Sequence, residues 1–276
     1  MDGILIVNKP QNCTSHDVVY KVKKITNQKV GHTGTLDPMA TGVLPLLIGK
    51  GTLCSKYLIE HDKIYKATIQ LGKRTTTSDQ EGEIIEEQEV EDNALDFRYI
   101  TEKLKEFLGK QIQTPPIYSA IKVNGKKLYE YARKGQNIEA PKRKIEIYEI
   151  ELLNVDKQNK KIEYKVHCSK GTYIRTLCHD IGQKLGCGAC MEKLTRTKVS
   201  RFEIKDSLTL AQIEVLKKED RLSEILIPID QMFADYPSII VSGEAARLAY
   251  NGNGIKDRDV RKDENILDEA YVRVYD

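Results

Sequence analysis

The strict alternation of apolar and polar residues in two segments constrains the fold of this chain more than any other feature. From Tyr65 to Leu71 every second residue is apolar, and the same period returns from Ile162 to Cys168. Successive side chains of a β-strand point to opposite faces, so each segment predicts a strand with one buried face. We expect the ring of Tyr65 to point inward from the start of the first strand.

Other segments follow the period of a helix. After a turn at 169–171, the apolar spacing predicts a helix that ends at Gly186, with Arg175 in its first turn, where backbone N–H groups favour an anion. Ser15 and Ser242 are candidate N-caps of two helices, the second of which runs through Leu248. Thr209 begins a capping box, and a further helix is predicted over 99–108. Strands and helices without regular βαβ alternation indicate an α+β fold.

The remaining segments suggest how the chain is divided. Residues 113–144 lack a sustained period and are rich in proline, glycine and basic residues, which is typical of a long ordered insertion. A strand is predicted over 145–153, with a bulge at 147–148. Composition becomes more polar near Pro237, where we place a domain boundary, and 270–275 is a predicted terminal strand.

One aspartate stands in a segment whose backbone is unusual. The run from Gly31 to Gly42 contains three glycines, and Pro38 follows Asp37 directly. Proline disfavours helical angles in the residue before it, so Asp37 is predicted to lie in an extended or turn segment. A carboxylate held there suits nucleophilic chemistry, although an aspartate in such a turn can equally well bond only its own backbone.

Composition and charge limit the classes of protein. With 276 residues, 40% hydrophobic and 31% charged, the chain is expected to be a cytoplasmic globular protein without a membrane span. Cys187 and Cys190 have the spacing of half a zinc site or of a redox pair, but a tight turn is the better interpretation. The net charge is only +3, but basic residues cluster in one segment, namely Lys122, Lys126, Lys127, Arg133, Lys134, Lys142, Arg143 and Lys144. A polyanion would be attracted to this segment.

Several motifs, spread in order over roughly residues 3 to 205, identify a family. The run GHTGTLDPMATGVLP at 31–45 closely resembles the central motif of the TruB family of tRNA pseudouridine synthases. Further matches are GILIVNKP at 3–10, YKA at 65–67, TSD at 77–79, QTPPIYSA at 113–120, CSKGTYIRT at 168–176 and LTR at 194–196.

The resemblance implies a fold and a reaction. The expected fold is a central mixed, largely antiparallel sheet with helices around an RNA cleft (residues 1–236), followed by a small C-terminal module related to the PUA domain (237–276). The implied reaction isomerises uridine to pseudouridine without a cofactor or a metal. Asp37 matches the family's nucleophile, attacking sugar C1′ or base C6, Tyr65 its active-site tyrosine and Arg175 the arginine that pairs with the carboxylate.

The resemblance also implies a substrate and its contacts. The substrate is the uridine at position 55 in the tRNA T loop, which must be flipped out to reach Asp37. His32 matches a histidine that helps extrude bases, and 113–144 matches an insertion that clamps RNA. The expected substrate contacts are Lys9, His32, Lys122, Lys142, Arg143, Lys144, Tyr173 and Leu194.

Three alternatives compete with a monomeric enzyme that acts on tRNA alone. The first is the catalytic subunit of an RNA-guided synthase, against which we note that only about forty residues follow Pro237, and those proteins resemble one another in carrying a fuller PUA domain. The second is a non-catalytic RNA-binding protein, and the third is a carboxylate hydrolase. The presence of Asp37, Tyr65 and Arg175 together favours the enzyme. A hydrolase would need a second catalytic carboxylate or a metal cluster, and none stands out in the sequence. We therefore expect tRNA as the partner, and neither a guide RNA nor a membrane.

Overall fold

A central sheet organises the structure, a computed structural model that describes residues 1–55, 61–136, 138–262 and 271–276. The strands are β1 (Gly3–Lys9), β2 (Val30–His32), β3 (Thr41–Ile48), β4 (Lys63–Leu71), β5 (Lys73–Thr75), β6 (Ile84–Glu87), β7 (Gly109–Gln113), β8 (Lys122–Val123), β9 (Lys126–Lys127), β10 (Arg143–Asp156), β11 (Lys161–Cys168), β12 (Ala189–Val199), β13 (Phe202–Glu203), β14 (Ser238–Val241), β15 (Val260–Lys262) and β16 (Arg273–Tyr275). The α-helices are α1 (Ser15–Thr26), α2 (Phe97–Lys105), α3 (Leu128–Ala132), α4 (Ile174–Lys184), α5 (Leu210–Lys218) and α6 (Glu244–Tyr250).

Within the described residues, nine strands form the main sheet in the order β1-β3-β12-β4-β11-β10-β7, with β2 beside β3 and β13 beside β12. The contact of β3 with β12 is parallel, and the other pairs described in this sheet are antiparallel. The mixed, largely antiparallel sheet expected from the sequence is therefore confirmed.

The two alternating segments lie side by side in the middle of this sheet. Tyr65 on β4 is opposite Val166 on β11, and the apolar residues of both strands are buried on one face. That face packs against α4. Helix α2 packs against β10 and belongs to the same hydrophobic core. At the other end of the sheet, Leu5 and Leu44 pack with Val18 of α1 and Ile213 of α5.

Two predicted helix caps are wrong, and one error matters for function. The N-cap of α1 is Thr14, which forms a reciprocal capping box with Asp17, while Ser15 is the first helical residue and is buried. Helix α6 is preceded by Gly243 as its N-cap, and the Ser242 side chain does not cap it. The capping box that begins α5 at Thr209 is confirmed. Ser15 is free of the capping role because its hydroxyl bonds a distant loop, as described below.

The basic insertion is shorter than the sequence suggests. Arg143 and Lys144 already belong to β10, because they pair with Gln113 and Ile112 of β7. The loop between these strands contains the β8–β9 hairpin and the short helix α3. The bulge expected at 147–148 is confirmed by a shift in the register of β10 against β11 between Ile147 and Glu149.

The residues after Pro237 form a small sheet of their own. Strand β14 pairs in parallel with β16 and antiparallel with β15, and neither of these pairs involves the central sheet. The predicted terminal strand is confirmed over Arg273–Tyr275, whereas Ala270 lies outside the described residues. The Tyr275 hydroxyl contacts Asp230, which links this sheet to the segment before it.

Two features of the described residues bear on the broad class of protein. No described helix has both the length and the apolar character that crossing a membrane requires. Cys187 and Cys190 are buried free thiols, and burial raises the pKa of Cys190 to about 11. In the described part of the chain, no three His, Cys, Asp or Glu side chains are grouped to hold a metal ion.

Candidate active site

The loop that carries Asp37 is fixed by polar contacts on both sides of the aspartate. The hydroxyl of Ser15 accepts the Leu36 N–H at 2.8 Å and donates to the Leu36 carbonyl at 3.2 Å. On the other side, the Pro38 carbonyl accepts the backbone N–H of Asn12 at 3.0 Å. These contacts hold the backbone around Asp37, which suits a carboxylate that must be placed accurately.

Lys9 is a buried residue that supports the loop carrying Asp37. Its ammonium is buried and donates to the carbonyls of Pro10, Cys13 and Pro38, at 2.9, 2.6 and 3.1 Å. Burial lowers its pKa, with the negative charge of Asp37 among the opposing effects. Lys9 is not among the residues that line the cavity, so we interpret it as a support of the Asp37 loop.

The carboxylate of Asp37 is held by a guanidinium from the other side of the site. Nε of Arg175, in the first turn of α4, lies 3.0 Å from Oδ2 of Asp37, and Nη2 lies 3.3 Å from Oδ1. The same guanidinium donates to the carbonyls of Tyr118 and Thr77, at 2.8 and 3.3 Å. Because Arg175 is only 5% exposed, it acts as a rigid fork that orients Asp37.

Sequence reasoning missed a second carboxylate beside this pair. Oδ2 of Asp79 is 3.6 Å from Nη1 of Arg175, while Oδ1 accepts the Thr77 hydroxyl at 2.5 Å and the Glu81 N–H at 3.1 Å. Ser78, which lies between Thr77 and Asp79, has a φ of 60°. The tight turn requires this left-handed conformation. The only signal in the sequence was the family match at 77–79, because neither charge nor periodicity distinguishes Asp79.

A buried arginine, Arg196, was also missed. It is 1% exposed, and it donates from Nε to the Val43 carbonyl at 2.8 Å and from Nη2 to the Gly34 carbonyl at 3.0 Å. It faces Tyr65 across the β4–β12 pair. Burial raises the pKa of the Tyr65 phenol, and the nearby Arg196 opposes this effect. Arg196 therefore joins the loop before Asp37 to the strand that carries Tyr65.

The pKa of Asp37 reflects two opposing influences. Burial of the carboxylate raises its pKa above the usual value, the charge of Arg175 works in the opposite direction, and the neighbouring Asp79 adds to the rise. The net direction is upward. Asp37 thus stays paired with a fixed cation while it is less fully solvated than an ordinary surface aspartate.

One cavity of about 1210 Å³ is lined by Asp37, Tyr65, Asp79, Arg175 and Arg196. Of the residues expected from the sequence, those along its wall are Asp37, Tyr65, Arg143, Lys144, Tyr173, Arg175 and Leu194. Lys63, Arg133 and Lys170 add further positive charge to the wall, and burial lowers the pKa of Lys63 to about 8. This cavity therefore combines a paired carboxylate, aromatic side chains and basic side chains along its wall.

Besides Lys9, three of the expected substrate contacts are not part of this wall. Lys122 on β8 and Lys142 are exposed but do not line the cavity. His32 ends β2, where its Nδ1 is buried without a hydrogen-bond partner in the described structure, and burial lowers its pKa. Their contacts with a substrate remain predictions.

Comparison with known proteins assigns the chain to a family. The model for the N-terminal domain of the TruB family pseudouridylate synthases matches residues 22–174, and the model for the tRNA pseudouridylate synthase B C-terminal domain matches 175–234. The chain belongs to the TruB family. It is accordingly a pseudouridine synthase, an isomerase, as the motifs predicted.

Individual relatives and solved structures agree with this assignment. The tRNA pseudouridine synthase B of Clostridium kluyveri is 45% identical over 276 residues, which cover 100% of this chain and 92% of that protein. The enzyme of the same name from Staphylococcus saprophyticus is 48% identical over 251 residues, covering 89% and 82%. A chain in the crystal structure of a Cbf5–Nop10–Gar1 complex matches with a TM-score of 0.72 at 27% identity, covering 99% of this chain and 74% of that one. A chain of an H/ACA RNP bound to a substrate RNA that contains 2′-deoxyuridine also gives a TM-score of 0.72, at 26% identity and the same coverage.

Proposed function

We propose that this TruB family member converts the uridine at position 55 in the T loop of tRNA to pseudouridine, with Asp37 as the nucleophile. The pairing of Asp37 with Arg175 inside the cavity carries this proposal. The N1–C1′ bond of the uridine breaks, the base is turned, and a C5–C1′ bond forms. C5 gives up its proton to solvent and N1 takes up a proton in its place, so uridine and pseudouridine have the same composition. The bond that Asp37 forms to C1′ or C6 is broken again before the product leaves.

Asp37 suits the role of nucleophile better than the other acids of the cavity. Its side chain is 34% exposed, whereas the side chain of Asp79 is 6% exposed and its Oδ1 is occupied by Thr77 and Glu81. Glu81 is exposed and belongs to no ion pair among the described residues. Arg175 favours the ionised form of Asp37, and an ionised carboxylate needs no additional base for activation.

The target base has to leave the RNA stack to reach this carboxylate. Asp37, Tyr65 and Leu194 share the wall of the cavity, so an extruded base would meet both an aromatic and an aliphatic surface. Unstacking costs a few kcal/mol, which new contacts in the cavity must offset. In this proposal Tyr65 stacks on the base, and its phenol assists removal of the proton from C5.

The positive charge along the cavity wall supports an RNA substrate. Arg143 and Lys144 at the start of β10 share the cavity wall with Lys63, Arg133 and Lys170. Phosphate groups are bound by such clusters, with an affinity that falls steeply with salt. The names of the relatives, tRNA pseudouridine synthase B, support tRNA as the RNA concerned.

A guided reaction is the second candidate, because the solved structures that match include a chain of an H/ACA RNP. Identity favours the unguided reaction, at 45% and 48% to the tRNA enzymes against 27% and 26% to the two solved structures.

An assay with purified protein and no other RNA separates these two functions. A tRNA transcript labelled with tritium at uridine C5 should release the label of one uridine per molecule, and the same transcript with cytidine at position 55 should release none. Release that requires an added guide RNA, or equal release from both transcripts, would refute the proposal.

A further inference from the structure

A buried hydroxyl group in the wall of the cavity makes no hydrogen bond of standard geometry in the described structure. Ser119 is 6% exposed and lines the cavity, and its Oγ is buried without a hydrogen bond. Its backbone is well fixed, because its carbonyl accepts the Tyr129 N–H at 3.1 Å. The carbonyl of the preceding residue, Tyr118, accepts Nη2 of Arg175. Ser119 therefore occupies a defined position one residue away from the contact that holds the catalytic ion pair.

Such a hydroxyl lowers the stability of the protein when the cavity is empty. A buried polar group without a partner loses its hydrogen bonds to water without replacement, and native proteins contain few of them. The phenol of Tyr173 lies close enough to interact with Ser119, and this contact lowers the pKa of Tyr173 against the larger effect of burial. The pair does not reach standard hydrogen-bond geometry, and Oγ lies just beneath the cavity surface. A rotation of the Ser119 side chain away from Tyr173 is therefore what brings its hydroxyl to a molecule in the cavity.

We propose that Ser119 donates a hydrogen bond to a carbonyl oxygen of the target uracil, which makes it a residue that positions the substrate for the reaction. The inference rests on the proposed function, since it assumes that a uridine enters this cavity. Uracil carries carbonyl oxygens at C2 and C4, and a serine hydroxyl can donate to either.

A substitution that removes only the hydroxyl has an unusual expected signature. In Ser119→Ala the unsatisfied group is gone, so Tm should stay equal or rise, whereas kcat/KM for a uridine substrate should fall about tenfold, the equivalent of about 1.4 kcal/mol. A serine with a purely structural role would give the opposite pattern, a lower Tm with little change in kcat/KM. Ser119→Cys keeps the shape with a weaker donor and should fall between the two.

Substrate analogues identify the atom that Ser119 contacts. T-loop RNAs with uridine, 2-thiouridine or 4-thiouridine at the target position are compared under single turnover, because sulfur is the weaker hydrogen-bond acceptor. The wild-type protein should lose rate with one of the thio analogues, and Ser119→Ala should not show that loss. The control is Ser169→Ala, since Ser169 lines the same cavity but its Oγ already accepts the Glu146 N–H at 2.8 Å. It should lower Tm and change all three rates by one common factor.

The outcomes separate this inference from the proposed function. Failure of the wild-type protein to convert the uridine RNA refutes the proposed function itself. If the wild-type protein converts it and Ser119→Ala matches the wild type with all three RNAs, only the inference about Ser119 is overturned. A loss of rate in Ser119→Ala that is the same for all three RNAs and comes with a lower Tm overturns it as well.

Discussion

Replacement of Arg175 by lysine measures how strongly the reaction depends on the guanidinium fork. Arg175 contacts both carboxylate oxygens of Asp37, at 3.0 and 3.3 Å, and the carbonyl of Tyr118 at 2.8 Å. A lysine ammonium keeps the positive charge but lacks the planar fork, so it cannot span all three acceptors. Asp37 would then lose its fixed orientation while a cation remains nearby.

The size of the effect follows from the hydrogen bonds that a lysine cannot make. Each hydrogen bond to a charged group is worth about 1.5–3 kcal/mol, and a lysine lacks two of those made by Arg175. The side chain of Asp37 is 34% exposed, and screening by solvent places the loss at the low end, near 3 kcal/mol in all. If this loss falls on the chemical step, the rate should drop roughly 150-fold.

The assay is single-turnover conversion at saturating tRNA, with tRNA binding and thermal unfolding measured separately. The rate of Arg175→Lys should fall while binding changes little. Arg143→Lys is the matched control, since it keeps a charge on the same wall at a residue that forms no ion pair with Asp37 in the described structure. It should retain a rate near that of the wild type. A folded Arg175→Lys variant within about threefold of the wild-type rate, less than 1 kcal/mol, would refute the reasoning.

The remaining predictions concern pH, the phenol, the basic residues and the C-terminal sheet. Because Asp37 acts ionised and burial raises its pKa, activity should be lost as pH falls through a midpoint above the usual aspartate value of about 3.9, and a midpoint below it would contradict this. Tyr65→Phe should fold normally and convert tRNA slowly, and near wild-type turnover, with a damaged Tyr65→Leu, would leave the ring a stacking role alone. Neutralising Lys142, Arg143 and Lys144 together should lower the slope of log K against log salt by roughly 0.7–0.9 for each phosphate that the protein no longer neutralises, and an unchanged slope would mean that these charges are only solvated. A chain truncated after 234 should convert a T-stem-loop RNA at a similar maximal rate with a higher KM for tRNA, and a folded but inactive truncation would contradict this.

The parts of the fold that local patterns determine were predictable. The alternation at 65–71 predicted β4 and its buried tyrosine, because the buried face of a central strand leaves its period in the sequence. The helix that places Arg175 was equally clear from its apolar spacing, and it is confirmed as α4. The motif match at 31–45 then indicated which carboxylate this arginine meets.

Features set by contacts between distant segments were not predictable. Thr14 and Ser15 can both cap α1, and the bond of Ser15 to Leu36 decides between them. Arg143 belongs to the basic segment that was predicted to be an insertion, but its pairing with Gln113 places it in strand β10. Arg196 is fully buried because two carbonyls from a distant part of the chain accept its hydrogen bonds. No local period or charge pattern reports such contacts.

The most direct test of the catalytic role of Asp37 is the single-turnover rate of Asp37→Asn with tRNA labelled with tritium at uridine C5. The asparagine has nearly the same shape and can still contact Arg175, so the variant should fold and bind tRNA like the wild type. It should release no tritium above background, because an amide cannot replace the carboxylate as nucleophile. Retention of even a tenth of the wild-type rate, a loss of only about 1.4 kcal/mol, would show that Asp37 is not the nucleophile.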